Sequence, residues 1–315
     1  MARLAIVANS VSPTNRRLLE AARAFGLDAL VLPPRVAERR LGAGDIALGR
    51  IDVLPTLDGP EPGLETLRAL EDRGVLVLNG PDALLAAHDK LATALRLAAH
   101  GFPHPRTAHV GTDSHAGLAF PVVVKPRFGS WGRDVILCRN ADELGRCLRR
   151  IGREAWFARQ GALVQELVPP QGCDLRIVVA AGEVVGAVQR IAAPGEWRTN
   201  VALGGTRSAV TPPQEPCRLA LRAASAFGID LTGVDLLPDG RGGWVVLELN
   251  GAVDLASEYS LGGEDVSTEI ARTLALRIAQ GMELPGGLDP LDPVSGLRKR
   301  GAWSRRVAPA PSPGG

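Results

Sequence analysis

The chain has 315 residues, enough for two or three small domains each with its own core. Its hydrophobic content of 45% is that of a folded soluble protein, and with 4% aromatics the cores must be mostly aliphatic. A formal charge of +2 argues against nucleic-acid or membrane-surface binding.

Leu4–Ala8 reads as a short buried strand, Asn9–Asn15 as a loop, and Arg16–Phe25 as a helix stopped by Gly26. Leu30–Leu32, Ile51–Leu54 and Val75–Leu78 read as further strands, with a helix over Glu65–Arg73. Strands alternating with helices predict a parallel sheet for residues 1–85. A helix capped by Asp82 runs to about His100 and carries Lys90. Phe120–Lys125 and Asp134–Cys138 then pair around the glycine loop Gly129–Gly132, followed by a helix over Asp142–Ile151. This second unit spans 86–160.

From 161 to 285 the pattern is antiparallel. Ala162–Glu166 is a strand that stops before Pro169-Pro170. Asp174–Val179 and Val184–Arg190 flank the turn Ala181–Glu183. After a helix over Cys217–Phe227, Thr232–Leu237 and Trp244–Asn250 form a second hairpin, and Ser267–Gly281 is the last helix. Residues 286–315 are rich in Pro, Gly and Arg, and we expect a disordered basic tail there. No internal repeat is present. The four cysteines form no C-x-x-C pair and no histidine stands at ligand spacing from them, so they read as free thiols in a reducing, cytoplasmic setting.

Only three of the thirty-six basic residues are lysine: Lys90, Lys125 and Lys299. In a chain that otherwise uses arginine, Lys90 and Lys125 mark places for a compact point charge. Lys125 ends an apolar run just before the glycine loop, a setting suited to phosphate oxygens. On the last hairpin Glu248 and Asn250 leave one face, and Asp235 can oppose them. Two carboxylates and an amide oxygen suit Mg²⁺, or Mn²⁺ in its place. The alternative is an exposed hairpin with solvated polar positions. Gln165–Val168 ends a strand with backbone groups that could meet an adenine edge. Asp174, Arg176, Arg190 and the loop Arg198-Thr199-Asn200 could converge on phosphate or carboxylate oxygens. The P-loop string, the G-x-S-x-G elbow and a histidine metal set are all absent.

Taken in order, the segments "AHDKLATALRLAAHGFPHPRT", "FPVVVKPRFGSWGRDV", "VQELVPPQGCDLRIVVAAGEVVGAVQRIA", "EWRTNVALGG" and "GVDLL…WVVLELNG" resemble the ATP-grasp superfamily, and within it the RimK-like amino-acid ligases, over residues 75–280. The resemblance implies an ATP-grasp fold, mixed α/β and α+β, with an N-terminal parallel-sheet domain and two units that clamp ATP. It implies ATP phosphate contacts from Lys90, Lys125, Arg198, Thr199 and Asn200, an adenine hinge at Glu166 and Leu167, and Asp174 near the ribose. Asp235, Glu248 and Asn250 would hold Mg²⁺, and Arg190 would join Arg198 in catalysis, facing an acyl phosphate. The implied reaction joins a carboxylate to an amine through that acyl phosphate, with glutamate or another amino acid as a substrate. The acceptor would be an amino acid, a peptide or a carrier protein, and a homo-oligomer would be in keeping. The chain departs from the family pattern at Gly251–Leu255, at Glu258-Tyr259, at Arg133 after the glycine loop, and at Leu167 of the hinge. A ligase making a dipeptide or small-molecule amide, a non-catalytic ATP sensor, and a two-carboxylate hydrolase using Asp235 and Glu248 are the competing readings.

Overall fold

Three sheets carry the chain in this computed structural model, which describes residues 3–110 and 117–280. The expected basic tail lies outside the described residues. The first sheet is parallel, in the order β2 (Asp28–Leu32), β1 (Arg3–Val7), β3 (Ile46–Gly49), β4 (Leu76–Leu78). Its two central strands, β1 and β3, are buried on both faces, as central parallel strands are. Leu4 and Ile6 face one core, while Ala5 and Val7 face another beneath the helices α2 (Pro34–Arg40) and α3 (Leu64–Asp72). The helix α1 (Pro13–Ala24) is started by Ser12, whose side chain accepts from the Asn15 amide at 3.1 Å.

The third strand differs from the expectation. It is formed by Ile46–Gly49, and Ile51–Leu54 keeps only a bridge from Val53 to Pro60. Gly49 explains the strand's end: a Cβ there would lie 2.6 Å from the Asn79 carbonyl, so the chain passes closely under β4 and then leaves the sheet. The helix expected over 82–100 is two helices, α4 (Pro81–His88) and α5 (Lys90–Ala99). Asp89 separates them and caps the second, accepting from the Leu91 amide at 3.0 Å.

The second sheet is antiparallel, in the order β5 (Thr107–Val110), β8 (Ala162–Glu166), β6 (Val122–Pro126), β7 (Ile136–Cys138). The helices α6 (Ala141–Ile151) and α7 (Ala155–Gln160) close its core. β8 hydrogen-bonds to both β5 and β6, so the expected boundary at residue 160 runs through a sheet. The third sheet is also antiparallel, in the order β11 (Thr206–Ala209), β10 (Glu183–Ile191), β9 (Cys173–Ala180), β12 (Leu231–Pro238), β13 (Trp244–Asn250). The β9–β10 turn has Ala181 and Gly182 both at positive φ, 44° and 82°, the twist a tight hairpin needs. One face of this sheet packs on α4, α5 and α8 (Gln214–Phe227). The other face packs its apolar half on the first sheet and α9 (Val266–Gln280). The short elements α2, α7, β5 and β11 have no counterpart in the sequence reading.

Asn79 joins the first and third sheets. It is fully buried, at φ 54°, just beyond the end of β4. Its amide nitrogen donates to the Leu231 and Gly251 carbonyls at 2.8 and 3.2 Å, and its side-chain oxygen accepts from the Asp230 and Leu231 amides at 2.9 and 2.8 Å. Its backbone N–H donates to Asp230 at 2.8 Å, and Asp230 also pairs with Arg277 of α9. Asn79→Ala leaves four buried backbone groups without this partner and puts a residue with no local compensation at positive φ. We predict a loss of about 3–5 kcal/mol, read as a lower urea midpoint.

Candidate active site

Strand register builds the site. Glu248 on β13 pairs with Asp235 on β12, and Asp235 pairs with Arg176 on β9. Directly paired residues of antiparallel strands share a face, so the three side chains form a row. One pair along, Asp174 on β9 opposes Arg190 on β10. A bulge between Asp235 and Leu236 inserts Leu247 on the facing strand, beside the acids.

These rows lock into one network. Arg176 donates to Asp235 through Nε at 2.6 Å and Nη2 at 2.7 Å. Arg190 donates to Asp174 at 2.8 and 2.6 Å, and its Nη2 also reaches Asp235 at 2.9 Å. Thr199 adds a hydroxyl donor to Asp174 at 2.5 Å. Asp174, Asp235 and Arg190 are nearly or wholly withdrawn from water. Burial works to raise the Asp235 carboxyl, and Arg176 and Arg190 more than offset it, holding it down to about 2. A carboxylate so firmly ionised and so fully engaged cannot serve as a free general acid or base, which argues against the hydrolase reading.

The lysines come from the other wall. Lys125, on β6, is buried and donates to Gln165 of β8 at 2.8 Å. Gln165 is held in turn by its own bond to Thr107 at 2.7 Å. Burial pulls the Lys125 ammonium down to about 8, with Glu248 resisting and Lys90 reinforcing the shift. Lys90 opens α5, where its Nζ lies 2.7 Å from the Gly129 carbonyl and 3.3 Å from Glu248. The helix start is fixed by Arg127, which makes a two-pronged pair with Asp89 at 2.7 and 2.5 Å. Burial opposes ionisation of Glu248, but Lys90 prevails and its carboxyl is held low.

Lys90 and Arg198 both grip the glycine loop. Arg198 pairs with Glu196 at 2.8 Å and donates to the Gly132 and Val135 carbonyls at 3.2 and 3.1 Å. Gly132 is at φ 72°, and a Cβ there would lie 2.8 Å from the Asn200 side-chain oxygen, so only glycine lets the loop seat on residue 200. Trp131 at the tip is half exposed, with the Arg133 guanidinium 5.0 Å from its ring centre.

Apart from Arg176 and Asn250, every residue the sequence singled out for the site lines one cleft between the second and third sheets. With the space open to solvent included, the cleft measures about 1030 Å³, room for a nucleotide and part of a second substrate. Val123, Leu237 and Leu247 give it an apolar wall. Asn250 sits one pair further along, opposite Gly233, and donates to that residue's carbonyl at 3.3 Å. Among the described residues its side-chain oxygen has no donor. Within the hinge segment Gln165–Val168 the backbone amides are not equally available. The Glu166 and Leu167 amides are already committed, to the Arg106 and Pro121 carbonyls at 2.9 and 3.1 Å. The next amide, Val168, makes no such bond among the described residues, and its position before Pro169 keeps it extended.

Sequence reasoning gave Gln165 only a backbone role and passed over Asp89 and Arg127. Gln165 carried a signal, a lone amide within the apolar run Ala162–Val164. The Asp89–Arg127 pair carried none, because thirty-eight residues separate the partners. Among the described residues no three of His, Cys, Asp and Glu gather as a metal cluster. The hard-oxygen set here is two carboxylates and one amide, and Asp235 keeps lone-pair capacity beyond its three donors. That set fits a small divalent cation.

The family model of the RimK-like ATP-grasp domain matches residues 87–282. The chain belongs to this family. A probable alpha-L-glutamate ligase of Stenotrophomonas maltophilia is 34% identical over 287 residues, covering 85% of this chain and 96% of its own. Beta-citrylglutamate synthase B of Danio rerio is 32% identical over 66% of this chain and 52% of its own. The crystal structure of a RimK-domain ATP-grasp protein from Sphaerobacter thermophilus superposes with a TM-score of 0.65 at 25% identity, covering 86% of this chain and 99% of its own. The protein is thus an ATP-grasp ligase, an ATP-dependent former of carbon–nitrogen bonds. No helix among its described residues is long and apolar enough to cross a membrane.

Lys125 gives the ligase a pH signature. Its ammonium is the form that attracts phosphate, and it is lost as pH rises through about 8. ADP affinity is therefore predicted to be level up to pH 7.5 and to fall above pH 8, by up to about tenfold per pH unit, until the pKa of the bound state is reached. Calorimetric titration at several pH values reads this directly, and an affinity unchanged from pH 7 to pH 9.5 contradicts it.

Proposed function

We propose that this ligase joins a substrate carboxylate to the amine of an amino acid, with glutamate as one substrate, through an acyl-phosphate intermediate. One observation carries this reading. Two lysines, two arginines and two carboxylates of metal-binding type converge on one cleft that has an apolar wall and a glycine loop over it. Glutamate is supported by the names of the relatives, both of which act on or form glutamate compounds.

The nucleobase lies against Val123, Leu237 and Leu247, with the Val168 amide as its backbone donor. Lys90 and Lys125 hold phosphate oxygens as point charges, and Arg198, Thr199 and Asn200 meet them from the opposite loop. Asp235, Glu248 and Asn250 would hold Mg²⁺, which would supply charge neutralisation for the phosphates. Arg190 is aimed by Asp174 and Asp235 at the oxygens of the transferring phosphoryl group. The substrate carboxylate attacks the γ-phosphorus and ADP leaves. The amine then attacks the acyl carbon, the amide forms, and phosphate departs with the C–O bond electrons. No nucleophile from the protein is needed. Catalysis is mostly positioning and charge neutralisation, and the glycine loop keeps water from the acyl phosphate. A need for ATP and four free thiols support a cytoplasmic setting.

The test is ADP and phosphate release from Mg-ATP with pooled amino acids, then with single members left out. We expect amino-acid-dependent ADP that drops when glutamate is omitted, and that falls at least about a hundredfold in Lys125→Ala. Equal ADP release with and without amino acids contradicts the ligase chemistry.

A further inference from the structure

The charged face of the third sheet continues past the cleft onto its edge strand. Arg207 on β11 is the register partner of Arg190. Their side chains therefore share a face on adjacent strands, with Cα atoms about 5 Å apart. Arg207 does not line the nucleotide cleft. Its Nε is buried without a hydrogen-bond partner, and its side chain forms no ion pair among the described residues.

The opposite wall is the short 3₁₀ turn Ser257–Tyr259, which packs against β10 and β11. Tyr259 is wholly buried, yet its hydroxyl also lacks a partner. It stands close enough to Arg176 to act on that residue's charge. Glu258 lies within the electrostatic reach of Arg207 and Arg17 but pairs with neither, and its closest side-chain partner is Ser257 at 3.1 Å. Arg17 of α1 donates to the Leu255 carbonyl at 3.4 Å. Buried polar groups in native folds are paired, and a donor and a hydroxyl left unpaired on two elements packed against each other point to a ligand that pairs them. The ligand these groups suit carries a carboxylate for Arg207 and an ammonium for Glu258, that is, an amino-acid zwitterion.

We infer that Arg207 is a substrate-binding residue that takes a carboxylate of the amino acid supplying the amine, with Glu258 facing its ammonium end. The inference rests on the ligase reading above. Its added claim is where the second substrate sits, one strand beyond Arg190 and outside the nucleotide cleft, and which side chain selects it.

The test is calorimetric binding of L-glutamate to the full chain saturated with ADP, alongside its α-amide and its γ-amide. Loss of a charge-assisted pair predicts that Arg207→Ala binds L-glutamate about tenfold or more weakly, while ADP affinity is kept. Arg207→Lys should recover part of the loss. Wild-type protein should bind one of the two amides more weakly than glutamate, and Arg207→Ala should lose that preference. Arg207→Ala that binds glutamate as wild type does, or that keeps the preference for the free carboxylate, overturns the inference. Wild-type protein that binds ADP but not glutamate also overturns it while leaving the ligase class standing. Wild-type protein that binds no ADP overturns the functional reading on which it rests.

Discussion

Two aspartates and two arginines buried together are the constraint from which the rest of the site follows. Asp174, Arg176, Arg190 and Asp235 can leave water only as a set, because each charge removed from solvent needs an opposite charge at hydrogen-bond distance. Strand register supplies that set. A slip of one residue between β9 and β12 would turn Asp235 into the apolar face that packs on α8, leaving Arg176 unmatched. The network is thus a register lock as well as a device that fixes the Arg190 fork. The bulge at Asp235 leaves the two acids in direct opposition, at the edge of the cleft.

Against this rigid wall the glycine loop is held by weaker means. Lys90 and Arg198 donate to the carbonyls at Gly129, Gly132 and Val135, while Glu248 and Glu196 take their other contacts. Carbonyl oxygens are weaker acceptors than anionic ones, so these loop contacts are the more readily exchanged. Lys125 behaves differently. Its bond to Gln165 keeps it in place and its burial lowers its proton affinity, so it is held fixed in the cleft wall before any ligand arrives.

Much of this was legible in the sequence, for physical reasons. Rare lysines in an arginine-rich chain stood out because arginine and lysine differ in geometry, and both proved to line the cleft. The spacing of Glu248 and Asn250 and their hairpin with Asp235 follow from the strand period, and the register agrees for Glu248. What was not legible depends on distant contacts. Ile46–Gly49 and Ile51–Leu54 are both short runs with apolar residues, and the strand ends where Gly49 passes under Asn79. Asp89 divides a continuous helical pattern because Arg127 holds its carboxylate. The amides of Glu166 and Leu167 are taken by the carbonyls of Arg106 and Pro121, far away in sequence. β11 has no apolar alternation to betray it, being a short exposed edge.

The account turns on the fork of Arg190 rather than on its charge alone. The direct test is Arg190→Lys, measured for ATP affinity and for the single-turnover rate of γ-phosphate transfer. An ammonium keeps the charge but cannot bridge Asp174 and Asp235 while facing a phosphoryl group. The account predicts ATP affinity within about threefold of wild type and transfer slowed by about a hundredfold or more. A transfer rate equal to that of wild type contradicts it.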